Sequence, residues 1–321
     1  MSAILKTVFS AINASQFVDA IYSGQSNLYV AIGRQQEWQS DSVYAVASEQ
    51  NPPVPTNTLK VENDFRNNII CLKRVNITNI IPVVPRVNWT SGAEYAVLNE
   101  TSTTPYRANN YYVNNRLNYV YKLIEKSGNA STAQYEPDDF AGGDKNDGYT
   151  WKFLYDVSAY LSNQGLMLDN WLPVPYAFKG NMAYTHMNTN MISAGSLTEN
   201  QVSNHHGVMR SNLELEAYRV MIHITFDDTE NDDIPEDISF RQVGLILDPQ
   251  LKTNASDAAA TMLGDFISDG KFTAGDVITP NNTDPAKAYD KRTGQILYLE
   301  NRKPIHRVSG QSEQIEIIVS F

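Results

Sequence analysis

The sequence predicts a mainly β protein, and three observations carry that reading. Short segments alternate apolar and polar residues with a period of two, as half-buried strands do. Charged residues make up only 19% of the 321-residue chain while tyrosine reaches 18 copies, a mixture that suits strands joined by polar loops. Helical patterns are few.

The strands read in order. "NLYVAIGR" (27–34) is an apolar run closed by glycine, and "NIICLKRV" (68–75) is a second. "NDGYTWKFLYDV" (146–157) opens as a turn and then sets Tyr149, Trp151, Phe153, Tyr155 and Val157 at alternate positions, with Leu154 breaking the polar row between them. Such an aromatic row forms either the inner wall of a sandwich or an exposed stacking platform, and the burial value of aromatic rings favours the wall. "AYRVMIHITFDD" (217–228) places Tyr218, Val220, Ile222, Ile224 and Phe226 on one face. "SFRQVGLILDP" (239–249) stops at Pro249, and "QILYLEN" (295–301) and "QIEIIVSF" (314–321) close the chain.

Two helices are expected. One lies in "ASQFVDAIYSG" (14–24), with Ser15 as its N-cap and Gly24 beyond its end. The other lies in "SDAAATMLGDFISDG" (256–270), capped by Ser256 and stopped by Gly270. "SEQNPPVPTNT" (48–58) reads as irregular because Pro52, Pro53 and Pro55 favour extended backbone. No repeat and no interdomain linker is visible, so residues 1–321 are expected to form a single compact β-sandwich unit. Its least regular excursions fall near residues 180–212 and 250–294.

Composition narrows the function classes. Acidic residues outnumber basic ones by 36 to 25, which argues against a general nucleic-acid grip built on clustered Lys and Arg. The single cysteine, Cys71, excludes an internal disulfide framework. No signal peptide is read at the N-terminus, and no apolar run is long enough to span a membrane.

Catalytic and metal motifs come close and fail on spacing. "GDFISDGKF" (264–272) has five residues between its glycines and Phe272 after Lys271, where a phosphate loop needs four and a hydroxyl. "DKNDGY" (144–149) puts Gly148 fifth and Tyr155 twelfth, where a calcium loop needs glycine sixth and glutamate twelfth. "FDDTENDDIPED" (226–237) reads as a solvated acidic loop. His205 and His206 point opposite ways in an extended segment and chelate poorly. No catalytic residue, cofactor or metal is assigned. A glycosidase carboxylate pair leaves no motif in a sequence, so that reading stays open beside a carbohydrate-binding sandwich.

Two segments carry a family resemblance: "DGYTWKFLYDV" (147–157) and "GQILYLENRKPIHRVSGQSEQIEIIVSF" (294–321). Together they closely resemble the gene-product-eight baseplate wedge subunit family of T-even-type contractile-tailed bacteriophages. The matching residues are Gly148, Tyr149 and Trp151 in the first, and Tyr298, Glu300, Asn301, Arg302, Pro304, Ile305 and Phe321 in the second. Weaker echoes precede and separate them: "AIGRQQEW" with Arg34 and Trp38, "VVPRVNW" with Arg86 and Trp89, and "FRQVGLILDP" with Arg241. Residues 180–212 have no counterpart. The resemblance implies a three-layer β-sandwich with long loops carrying a few short α-helices. It implies a non-enzymatic structural subunit that forms a homodimer, joins other wedge proteins, binds neither nucleic acid nor membrane, and resides in the virion tail baseplate after assembly in the host bacterial cytoplasm.

Overall fold

The computed structural model describes residues 7–22, 24–40, 48–75, 79–98, 110–128, 130–138, 143–144, 146–157, 170–174, 215–226, 238–250, 277–278, 290–307 and 312–321. The expected helix from Ser256, the acidic loop at 227–237, the stretch 264–272 and residues 180–212 with His205 and His206 lie outside the described residues. The fold is mainly β, with three antiparallel sheets among the described residues. The chain groups into two compact units. The first comprises 1–19, 80–221 and 318–321, and the second comprises 20–79 and 222–317. Because the chain passes between them four times, no linker marks the division in the sequence.

The second unit holds a five-stranded sheet of β1 (Leu28–Gly33), β2 (Ile69–Arg74), β10 (Ile238–Leu247), β11 (Val277–Ile278) and β12 (Gln295–Arg307), in the order β11-β2-β1-β10-β12. β1 is central and buried at five of six positions, which is why it reads as an apolar run and not as an alternation. Helix α2 (Leu59–Asn67) lies on this sheet, with Phe65 packed among Ala31, Ile69, Leu72 and Ile246. Gly244 makes room for it, since a Cβ there would stand 2.5 Å from Phe65 Cζ. The helix follows directly on the proline-rich segment. Thr58 caps it, its Oγ1 accepting from the Val61 N–H at 3.4 Å.

The first unit contains β3 (Ile80–Pro85), β8 (Trp171–Pro173) and the start of β9 (Arg219–Phe226). These strands lie in the sheet ordered β13-β9-β3-β8, where β13 is Glu313–Ser320. A second sheet, β4-β5-β7-β6, is built from β4 (Tyr112–Asn114), β5 (Tyr119–Lys126), β6 (Gly143–Asp144) and β7 (Tyr149–Asp156). The two sheets share one core. Ile81, Val83, Val84, Leu172 and Met221 meet Tyr112, Val120, Leu154 and Tyr155. The opposite face of the second sheet is covered by loop residues Tyr95, Ala133 and Trp89.

In the aromatic row of β7, Tyr149, Trp151 and Tyr155 are buried and Phe153 is half-buried, as expected of a sandwich wall, but the row does not line one face. Opposite β7, Val120 pairs with Tyr155 and Tyr121 with Phe153, so Leu154 is the extra residue of a bulge. Tyr149, Trp151 and Phe153 therefore pack under the loops, while Leu154, Tyr155 and Val157 enter the core between the sheets. The apolar Leu154 that broke the polar row marks this crossover.

Helix α1 spans Thr7–Tyr22, beginning well before the expected start. Ser15 is not its N-cap. It lies inside the helix, and its Oγ donates to Ala11 O at 2.9 Å, the back-bond that lets serine sit in a helical interior. At the other terminus, β13 buries Ile315 and Ile317. Its partial second face carries Ile318. The Phe321 N–H donates to Tyr218 O at 3.0 Å, and the Phe321 ring lies 5.0 Å from that of Phe17.

Candidate functional site

Three sequence segments, the last two more than 200 residues beyond the first, converge in the second unit on a buried polar network. Arg34 follows β1, Arg241 lies in β10, and the residues from Tyr298 to Arg302 lie in β12. Arg34 is fully buried and has φ +58°, a left-handed backbone that a non-glycine residue adopts only when its surroundings hold it. Its Nη2 donates to Glu37 O at 3.3 Å, and further contacts hold it. Its N–H donates to Asn68 O at 2.9 Å, its Nη1 lies 3.5 Å from Asp64 Oδ2, and its guanidinium sits 4.5 Å above the Trp38 ring.

Trp38 is the hub. It is fully buried in a short 3₁₀ turn, Trp38–Ser40. Its Nε1 donates to Arg302 O at 3.2 Å, and its backbone N–H donates to Glu49 Oε1 at 2.8 Å. The other Glu49 oxygen takes the Arg241 Nε–H at 2.8 Å, while Arg241 Nη1 donates to Gln35 O. Burial pushes the Glu49 carboxyl up, but the Trp38 N–H and the Arg241 guanidinium together hold it below its ordinary value.

On β12, Glu300 Oε2 accepts from both Tyr298 Oη and Arg302 Nη2, each at 2.8 Å. Burial and the Glu300 hydrogen bond push the Tyr298 phenol up to about 12. Asn301 accepts from Gln242 Nε2 at 3.0 Å and donates to Pro53 O at 2.8 Å. Pro304 lies where Phe240 pairs with Ile305 and Gln242 with Asn301, so three β12 residues face one of β10. β12 is an edge strand among the described residues, where a missing N–H costs least.

The remaining motif residues sit in the first unit and do not join this network. Trp151 is 1% exposed, with Tyr95 edge-on at 5.4 Å and Tyr149 stacked at 6.3 Å. Trp89 packs against the same cluster, and its N–H donates to Asn114 O at 2.9 Å. Arg86 Nε donates to the exposed Asn88 Oδ1 at 3.0 Å. Gly148 closes the β6–β7 turn at φ +81°, where a Cβ would stand 2.2 Å from Ser127 Oγ. Residues 146–149 of "DKNDGY" form a turn into β7, and Lys145 lies outside the described residues. The Asp147 carboxylate accepts the N–H groups of Gln134, Tyr135 and Tyr149.

Sequence reasoning missed Glu49, Asp64 and Gln242, the partners that complete the network. Gln242 was visible inside "FRQV", but Glu49 lies in the irregular proline-rich segment and gives no local signal. What the arrangement does is hold. Each guanidinium has a carboxylate within 3.5 Å: Arg34 ties the segment after β1 to α2, Arg241 ties β10 to the loop at Glu49, and Arg302 pairs with Glu300 along β12. Among the described residues no group of three or more His, Cys, Asp and Glu is placed to hold a metal ion. No helix there is long and apolar enough to cross a membrane.

The chain is a β-rich body in which ion pairs hold a loop and helix α2 in place around the five-stranded sheet. The family model described as "Bacteriophage T4, Gp8" matches residues 122–321, more than half of the chain, and the chain belongs to that family of phage baseplate structural proteins. A comparison with curated proteins found no match.

Proposed function

We propose that this chain is a wedge subunit of a contractile-tail baseplate. It works as a homodimer, joins other wedge proteins through protein surfaces, and is assembled in the host bacterial cytoplasm before entering the virion. It catalyses no reaction in this role. The carrying observation is the family match over residues 122–321, which takes in both the β7 aromatic strand and the motif strand β12. The motif residues Arg34, Trp38, Arg241, Tyr298, Glu300, Asn301 and Arg302 serve the fold by fixing loops to the five-stranded sheet. Arg86, Trp89, Gly148, Tyr149, Trp151, Pro304 and Phe321 serve it locally.

Burial of Tyr149, Trp151 and Tyr155 removes the exposed platform that a carbohydrate-binding reading would draw on. The test is the mass of the purified chain in solution, alone and co-expressed with the other wedge proteins of its phage. The proposal expects twice the 36.0 kDa chain mass alone, and a larger defined complex with partners. A monomer at micromolar concentration that joins no wedge protein would overturn it.

A further inference from the structure

Arg219 opens β9 with its guanidinium held against two rings, 4.2 Å from the Tyr218 centroid and 5.4 Å from that of Trp171. Trp171 of β8 pairs with Pro85 of β3, and the next residue, Arg86, donates its N–H to Asn170 O at 2.9 Å. Arg86 and Arg219 therefore stand at the same end of one sheet, and both are half-buried, as are Trp171 and Tyr218. Among the described residues six arginines have a carboxylate within 3.5 Å. Arg86 and Arg219 have none, in a chain where acidic residues outnumber basic ones by 36 to 25. Arg74 also lacks one, but it lies in the second unit and bonds Asn27 Oδ1 at 3.0 Å. A guanidinium held against aromatic rings is weakly hydrated and keeps its fork of donors for a carboxylate. Arginine, tryptophan and tyrosine are also the side chains that dominate protein interfaces.

We propose that Arg86 and Arg219 dock the acidic stretch 227–237 of a second copy of the chain. This rests on the homodimer proposed above. The two guanidinium groups set the chemistry, since arginine takes carboxylates through paired hydrogen bonds. The sequence supplies the occupant. Residues 227–237 hold seven carboxylates in eleven positions, the densest acidic run in the chain. The stretch of the same copy starts from the wrong end: Arg219 is the first residue of β9 and Phe226 its last, about 23 Å apart at about 3.3 Å per residue. In a two-fold dimer the contact forms twice, each copy lending its acidic stretch to the arginines of the other, so the pair closes on itself. A nucleic-acid backbone is the poorer occupant, because a chain with a net charge of −11 repels it.

The test is a charge swap on the full chain, read by sedimentation equilibrium. One variant carries R86E and R219E, the other D228K, E230K, D232K and D233K. Each alone is expected to self-associate at least about tenfold more weakly than the wild type. An equimolar mixture of the two is expected to recover the wild-type dimer, because reversed arginines then meet a reversed stretch and each remaining arginine pair meets an acidic one. Self-association of the arginine variant within about twofold of a dimeric wild type overturns the contact and leaves the homodimer standing. Loss in both variants without recovery in the mixture also overturns it, as does an arginine variant that dimerises normally but no longer joins another wedge protein. A monomeric wild type fells the homodimer reading itself. Where R86E/R219E lowers the thermal melt, R86Q/R219Q takes its place and is expected to remove the salt dependence of self-association. Salt dependence equal to that of the wild type overturns the proposal.

Discussion

Arg241 and Glu49 form an ion pair, Nε to Oε2 at 2.8 Å, between side chains only 6% and 18% exposed. The pair joins β10 to the proline-rich segment, and the second Glu49 oxygen holds the Trp38 N–H. Removing one partner strands the other in a poorly solvated site. Arg241→Met is expected to destabilise the fold by about 3–5 kcal/mol in urea unfolding. Combining it with Glu49→Gln should cost less than the sum of the two single changes, because they share one interaction. Additive losses would show that the pair is not coupled.

Acid should weaken the same link. The Glu49 carboxyl is held below its ordinary value of 4.5 in the folded chain. Its stabilising contribution is therefore complete above about pH 4.5 and is lost as pH falls through the folded value. Glu49→Gln should flatten the acid limb of a stability–pH profile. An acid limb identical to that of the wild type would remove Glu49 from the account.

Gly148 is irreplaceable on two grounds, a left-handed φ of +81° and a Cβ position 2.2 Å from Ser127 Oγ. Backbone strain of that kind costs about 1–3 kcal/mol. The clash adds to it, since the neighbouring Ala130 Cβ is also only 2.9 Å away. Gly148→Ala should lower the thermal midpoint by several degrees, and an unchanged midpoint would mean the turn can be rebuilt.

Trp151 anchors the loop-covered face of the second sheet, 1% exposed beneath Tyr95. Trp151→Ala should cost about 3–5 kcal/mol through lost burial and the cavity left behind. Near-ultraviolet circular dichroism should lose the signal of its packed aromatic neighbours. A loss below about 1 kcal/mol would identify Trp151 as a surface residue and revive the platform reading.

The last strand is the other long-range tie. Ile315 and Ile317 are buried, and the Phe321 N–H reaches Tyr218 O. Burying two such side chains contributes roughly 3–6 kcal/mol, and removing the strand leaves β9 with an open edge. A chain stopped after Ser312 should be insoluble or lack a cooperative melt. A soluble truncation with an unchanged midpoint would make the strand dispensable.

What the sequence disclosed follows the physics of each element. β1, β2, β9, β10, β12 and β13 were legible because each is long enough to show an apolar run or an alternation. β5 was not, because its burial is interrupted by bulges opposite Leu154 and near Leu123, which break the period. α2 was hidden because nine residues directly after three prolines give too short a helical pattern, and Thr58 caps it without the glutamate that completes a capping box. Ser15 misled because a serine before apolar residues looks like a cap, while α1 had already begun at Thr7. The network residues Arg34, Trp38, Arg241 and Arg302 were found through a family pattern and not through chemistry. Their meeting depends on contacts across roughly 200 residues, and no local rule encodes such contacts.

The central claim, that this chain is a structural component of the baseplate, is tested most directly by quantitative mass spectrometry of baseplates purified from the phage that encodes it. The account predicts the chain in those baseplates at a fixed ratio to the other wedge proteins, retained through washes that remove unbound protein. Its absence from purified virions, or a trace amount that varies between preparations, would contradict the account.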